Sequence, residues 1–304
     1  MRVLLATDGS NPAGLAVDLV AGIEWPPDTT IEVVDAIENG PDLFGGPWPM
    51  VAYGRTDEIE ADLLRIGRKS IQDVTGRLTR DGLRVDGDVR RGRPADVISD
   101  LATTSAPDLV VLGSRGHGAI ESMLIGSVSS EVIDRAHAPV LVARGPRIER
   151  VLLAWDGSDS ATSAVDLVKN WPIFDRSSVR VVAVSTFDIP WWTGFPDARS
   201  AQLMPTYVEA AEASRNHSQA VASSVVADLC LAGRVADFET RSGDAAKELI
   251  AVARAWKADV IVIGSHGRTG LQRLLLGSVA RNVLHHAPCS VLVARARTAT
   301  PGAS

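Results

Sequence analysis

The segment Arg2-Val3-Leu4-Leu5-Ala6-Thr7-Asp8-Gly9-Ser10 returns as Arg150-Val151-Leu152-Leu153-Ala154-Trp155-Asp156-Gly157-Ser158, with one residue changed. Ala16-Val17-Asp18-Leu19-Val20 returns as Ala164-Val165-Asp166-Leu167-Val168, and Asp108 to Arg144 aligns without a gap to Asp259 to Arg295. A chain that repeats in this way is a duplicated unit, and whatever fold one half adopts the other must adopt too. The 304 residues exceed the usual single-domain length of about 100–200, so each half can bury its own core. A short turn-forming stretch, Gly145-Pro146-Arg147, separates the copies. The expected domains are 1–145 and 148–296.

Within each half, short apolar runs rich in β-branched residues alternate with amphipathic stretches, the pattern of parallel strands joined by crossover helices. In the first half strands are expected near 2–7, 30–36, 84–90, 108–113 and 139–143. Helices are expected near 11–23, 57–81, 94–105 and 126–137. Right-handed crossovers and burial of both faces then give an α/β architecture of two tandem, open, doubly wound, five-stranded parallel sheets, Rossmann-like in connectivity. Such sheets bind ligands beyond the carboxyl ends of their strands, where strand order reverses. This connectivity puts the ends of the first and fourth strands side by side.

Those ends carry unusual residues. Leu109-Val110-Val111-Leu112 leads into Gly113-Ser114-Arg115-Gly116, and nine residues later Gly126-Ser127-Val128-Ser129 opens a helix. Val260-Ile261-Val262-Ile263 leads into Gly264-Ser265-His266-Gly267, and again nine residues later Gly277-Ser278-Val279 opens a helix. Glycine lets a backbone approach phosphate oxygens, and the free N–H groups of a helix start present partial positive charge to an anion. Ser127 and Ser278 add hydroxyls, although serine there is equally a good helix N-cap.

This Gly-x-x-Gly, nine residues, Gly-Ser spacing, present twice and followed by Pro139-Val140-Leu141-Val142 or Ser290-Val291-Leu292-Val293, resembles the motif of the ATP-binding universal stress proteins. The resemblance covers nearly the whole chain. It implies an adenine nucleotide alpha hydrolase-like fold, with ATP and Mg²⁺ as the ligand of each half. By resemblance, Asp8 and Asp156 sit by the ribose, flanked by Ala6 and Thr7 in one half and by Ala154 and Trp155 in the other. Ala36 and Val184 match the position whose backbone meets the adenine edge, and Val128 and Val279 follow the phosphate serine. The alternative for Asp8-Gly9-Ser10 and Asp156-Gly157-Ser158 is simple capping of the first helix. Trp155, where the first half has Thr7, either stacks on adenine or fills its pocket. Arg115 and His266 either contact phosphate or face solvent.

The formal charge of -6 offers no basic surface for nucleic acid, and no apolar run reaches the roughly 20 residues that cross a bilayer. Met1 runs directly into a strand, which sets the expectation of a cytoplasmic protein. Cys230 and Cys289 have no metal-ligand spacing, and His117, His137, His217, His285 and His286 are assigned no chemistry. The Gly-, Pro- and Trp-rich segments 38–56 and 186–206 are expected to replace regular structure at the mouth of each site, as lids or contact surfaces. The last strand of each half is an apolar edge, and in the family the resemblance names such strands pair across a two-fold axis. The expected consequence is an intramolecular pseudo-dimer, with two chains associating into a homodimer.

The functional expectation is a nucleotide-dependent regulator or sensor in stress adaptation. A slow ATP hydrolase of the same fold and a nucleotide-free scaffold stand as alternatives. A dedicated enzyme is disfavoured, because the chain lacks the Ser-Gly-Gly-x-Asp-Ser loop of pyrophosphatase-type relatives and the His-Ile-Gly-His signature of nucleotidyl transferases. No general base stands out near the glycines, although a phosphate cradle with bound Mg²⁺ needs only an oriented water.

Overall fold

The computed structural model describes residues 1–38, 56–80, 82–116, 125–185, 198–267 and 276–295, and their side chains except those of 56–60 and 198–203. The first half runs β1 (Arg2–Ala6), α1 (Asn11–Gly22), β2 (Thr29–Ile37), α2 (Thr56–Leu78), β3 (Leu83–Arg91), α3 (Pro94–Thr104), β4 (Leu109–Gly113), α4 (Ser127–Arg135) and β5 (Val140–Ala143). The second repeats it as β6 (Arg150–Trp155), α5 (Asp159–Asn170), β7 (Ser178–Ser185), α6 (Ala198–Leu231), β8 (Val235–Ser242), α7 (Ala245–Trp256), β9 (Val260–Gly264), α8 (Ser278–His286) and β10 (Ser290–Ala294).

All ten strands form one sheet, in the order β3-β2-β1-β4-β5-β10-β9-β6-β7-β8. Every neighbouring pair is parallel except the central one: Val140, Leu141 and Val142 of β5 face Val293, Leu292 and Val291 of β10 antiparallel. The two doubly wound sheets expected from the sequence are therefore fused at their apolar fifth strands. Strand pleating sends alternate residues to opposite faces. On one face Val3, Leu5, Val151 and Leu153 pack with α1, α2, α5 and α6. On the other Leu4, Leu152, Val110 and Ile261 pack with α3, α4, α7 and α8. The outer edges are guarded by charge: β3 carries Arg84, Asp86, Asp88, Arg90 and Arg91, and β8 carries Asp237, Glu239 and Arg241.

Two corrections concern helix ends. Residues 198–206, expected to be irregular, belong to the first turns of α6, which carries Pro205 inside it. The remainder of the expected lids, 39–55 and 186–197, lies outside the described residues, as does His117. The N-cap positions of α4 and α8 are Gly126 and Gly277, with no side-chain cap bond, so Ser127 and Ser278 are first-turn residues rather than caps.

The seam between halves is sewn by side chains as well as by strands. The largely buried Arg144 guanidinium donates to the carbonyl of Leu284, near the end of α8, and to that of Cys289 at 3.2 Å. Its counterpart Arg295 donates to the carbonyl of Ile133 near the end of α4. A cation at the carbonyl end of a helix is favoured by the helix dipole and satisfies groups that no next turn reaches. Arg281 adds an ion pair to Asp134 at 3.0 Å.

Replacing Arg144 by Ala strands two carbonyls at the seam, so Arg144→Ala should lower stability by about 2 kcal/mol in chemical denaturation, with partial recovery in Arg144→Lys. Stability unchanged by Arg144→Ala would show that the seam rests on β5 and β10 alone. Burial, aided by His286, Arg281 and Arg144, holds His285 below its ordinary imidazole value. Folding thus favours the neutral ring, and its stabilising contribution is complete above about pH 6.5 and is lost as pH falls through that value toward the folded one. His285→Gln should flatten the acid limb of a melting-temperature profile; an unaltered profile would exclude His285 as a source of that limb.

Candidate functional site

Each site is assembled where β1 meets β4, or β6 meets β9, in parallel register. Beyond β1 the chain turns through Gly9 at φ +74°, and beyond β6 through Gly157 at φ +80°, conformations that favour glycine. The carboxylates fold these turns: Asp8 Oδ1 accepts from the Ser10 amide at 2.9 Å and Asp156 Oδ1 from the Ser158 amide at 3.0 Å. The caps of α1 and α5 are the serines, whose hydroxyls accept from Ala13 at 3.4 Å and Ala161 at 3.2 Å. Capping by the aspartates is thereby ruled out as their role, although they shape the turn that delivers the cap.

The glycines divide into two kinds. A β-carbon on Gly113 would lie 2.8 Å from backbone atoms of Pro12 and Ala13, and one on Gly264 would lie 2.6 Å from the Ser160 carbonyl carbon. These glycines let the first turn of α1 or α5 close onto the strand end. The others border the site. A β-carbon on Gly116 would lie 2.5 Å from Asp8 Oδ2, and one on Gly267 would lie 3.2 Å from Asp156 Oδ2, so each carboxylate rests against its glycine loop. Gly126 and Gly277 are tied back to that loop through their amides, which donate to Ser114 at 2.7 Å and Ser265 at 2.8 Å.

In the second half these elements enclose a cavity of about 290 Å³. It is lined by Ala154, Trp155, Asp156, Val184, Gly264, His266, Gly267, Gly277, Ser278 and Val279, which are all of the residues singled out in that half from sequence except Ser265. Ser265 is buried behind the loop, its hydroxyl 3.0 Å from His266 Nδ1. The His266 carbonyl receives the Ser160 hydroxyl, and the Ser158 hydroxyl at 3.2 Å. His266 Nε2 and the Trp155 indole Nε1 are buried and have no hydrogen-bond partner among the described residues. The floor adds six residues that sequence reading missed: Ala161, Val182, Ala245, Leu249, Ile263 and Ala280. All are apolar. Ala245 and Leu249, spaced i and i+4 at the start of α7, and Val182 and Val184, spaced by two on β7, are the periodicities that pointed to them.

The first half brings the corresponding residues together at the same strand ends. Ala6 and Thr7 are buried beside Asp8, Ala36 is half-buried at the end of β2, and Arg115 is half-buried in its loop. Ser127 is exposed and Val128 half-buried at the start of α4. Ser129 differs in kind: its buried hydroxyl donates to the Gly113 carbonyl at 2.8 Å, pinning α4 to β4, and its second-half counterpart Ala280 has no such bond.

Chemically, each site pairs an uncapped helix N-terminus and a glycine loop, both suited to an anion, with a carboxylate that accepts from hydroxyls. In the second half an apolar wall stands opposite. An open α/β sheet with such a switch point belongs to the class of doubly wound, Rossmann-like folds. The sequence model of the universal stress protein family matches the chain twice, over residues 1–144 and 147–295. The chain belongs to that family. A universal stress protein of Mycobacterium tuberculosis is 33% identical over 314 aligned positions, covering 96% of each chain. One from Mycolicibacterium smegmatis is 28% identical, covering 97% of each. Among solved structures, a universal stress protein from Archaeoglobus fulgidus shares the fold with a TM-score of 0.64 at 19% identity, covering 97% of this chain and 98% of its own.

The two kinds of glycine separate experimentally. Gly264→Ala should destabilise the chain by about 1–3 kcal/mol, since the new methyl meets α5 backbone that cannot yield easily. Gly277→Val, whose added β-carbon meets loop backbone at 3.3 Å rather than 2.6 Å, should cost less than that. Equal losses for both would show that the far glycine is as structural as the near one.

Proposed function

We propose that each half, as domains 1–145 and 148–296, binds an adenine nucleotide, ATP with Mg²⁺, and that the chain is a cytoplasmic nucleotide-dependent regulator in stress adaptation, acting as a pseudo-dimer that associates further into a homodimer. The observation that carries this reading is the second-half cavity, which gathers an anion-attracting helix start, a glycine loop, a carboxylate and an apolar wall at one strand junction. Its volume of about 290 Å³ is at the lower end of ligand pockets.

The residues fit the ligand. The Gly267 end of the loop and the first turn of α8 from Ser278 onward, which no side chain caps, would hold the phosphates, with the exposed Ser278 hydroxyl beside them. Asp156 would accept from the ribose hydroxyls, the Val184 backbone would meet the adenine edge, and Val182, Leu249 and Ile263 would cover a ring face. Among the described residues nothing pairs the buried His266 Nε2 and Trp155 Nε1, on two residues that line this cavity, and a nucleotide would bring polar atoms near them. In the first half Asp8, Ala36, Gly116, Gly126 and Ser127 take the same parts, with Arg115 in place of His266.

Titration calorimetry with ATP and Mg²⁺ tests this. Wild type should show two binding events, Gly277→Val and Gly126→Val one each, and the double variant none while keeping its circular dichroism spectrum. Undiminished ATP affinity in the folded double variant would overturn the site assignment, and a wild-type chain that neither binds nor is thermally stabilised by ATP would leave a nucleotide-free scaffold.

A further inference from the structure

A second cavity, of about 360 Å³, adjoins the one just described, sharing Trp155, Asp156 and Val184 with it, between the ends of β6 and β7 and the helix α6. Its origin is visible by comparing the halves. Ile71, Val74 and Leu78 of α2 and Ala222, Val225 and Leu229 of α6 bury the same helical face at the same spacing, which sets Gly67 opposite Ser218. In the first half this place is filled: a β-carbon on Gly67 would lie 3.0 Å from both Asp35 Oδ2 and Ile37 Cδ1. In the second half Ala183 stands for Asp35 and Ser185 for Ile37, while Ser185 turns its hydroxyl to Ser214 at 2.8 Å. Two side chains that plug the first half are thus cut back, and Trp155 in place of Thr7 walls off the space.

The lining chemistry is one-sided. Trp155 offers an indole, and Ala183, Val184 and Val221 offer methyl groups. Among the described lining residues the polar side chains are those of Asp156, the exposed His217 and Ser218, whose hydroxyl proton is already given to the Ser214 carbonyl at 3.0 Å. Carboxylate and hydroxyl are both left to accept hydrogen bonds, and no Lys or Arg is among the described lining residues. A carboxylate and a hydroxyl acceptor, bordered by an indole face and methyl groups, match a small cation that carries N–H donors and a short hydrocarbon.

We propose that this cavity is a ligand site for a small primary alkylamine in its ammonium form. The ammonium donates to Asp156 and Ser218, and the hydrocarbon lies against Trp155 and Val221. The claim does not require the nucleotide reading. If that reading holds, Asp156 and Trp155, which line both cavities, make the two ligands sense each other.

The test is saturation-transfer NMR on the nucleotide-free full chain, with n-butylammonium as the probe and 1-butanol as its uncharged counterpart. The expected result is saturable binding of n-butylammonium only, weakened about tenfold or more in Ser218→Phe, which fills the cavity from α6. Asp156→Asn keeps the shape and removes the charge, so it should lose the same binding even if the Phe variant does not fold. ATP titration of Ser218→Phe should match wild type, which separates this site from the nucleotide pocket. Equal binding of 1-butanol, no saturable binding of n-butylammonium, or undiminished binding in Asp156→Asn would each overturn the proposal.

Discussion

The antiparallel contact of β5 with β10 is the constraint on which the rest of the molecule depends. Each half alone would end on a bare strand of Val, Leu, Val and Ala, an apolar template for uncontrolled pairing. Joining the two within one chain removes both edges at once and leaves a ten-stranded sheet whose outer strands are short of apolar residues and rich in charge. The seam also explains two arginines that are costly to bury. Desolvation pushes the guanidinium values of Arg144 and Arg295 down, yet Arg144 donates to the Leu284 and Cys289 carbonyls and Arg295 to the Ile133 carbonyl, all of the opposite half. A charge taken from water is tolerated where it satisfies several acceptors that would otherwise be stranded.

Parallel pairing then decides where chemistry occurs. Because β1 lies between β2 and β4, the crossovers leave in opposite directions and their loops part over the β1–β4 junction. Gly113 and Gly264 permit the first turns of α1 and α5 to close on that junction, while Gly116 and Gly267 permit the aspartates to rest against the facing loop. The glycine motif is thus two devices of one residue type. Its first member serves packing, and its later members keep a surface free of side chains.

Much of this could be read in advance, and the reasons are specific. The repeat fixed equivalence between halves, apolar alternation fixed the strands, and the glycine spacing marked the junction, because each depends on local pattern. What escaped depended on three-dimensional neighbours. Ser127 and Ser278 looked like caps because serine prefers that position, but the preceding glycines take it. The first turns of α6 were hidden by Pro205 and the surrounding glycines, prolines and tryptophans, which locally disfavour a helix that is nevertheless formed. The apolar floor of the second site is indistinguishable from ordinary core until α7 is placed against β7 and β9. His217 seemed idle because the cavity it borders exists only where Ala183 and Ser185 replace the bulkier Asp35 and Ile37, a feature that only a comparison of both halves in space brings out.

Duplication also removes the demand that both copies stay alike. The seam and junction glycines are kept in both halves because each serves the common frame. Thr7 and Trp155, Asp35 and Ala183, Ile37 and Ser185, and Gly67 and Ser218 differ together, and they cluster on the α2 or α6 side of the strand ends. Independent drift in a close-packed interior would leave clashes or voids at each step, so a matched set of changes around one volume is what redirected use of that volume requires. The first half keeps a filled wall behind its strand ends. The second has moved an indole into the junction and opened a chamber behind it, so the asymmetry concentrates new chemistry around Trp155 and Asp156 without disturbing the sheet that holds both halves together.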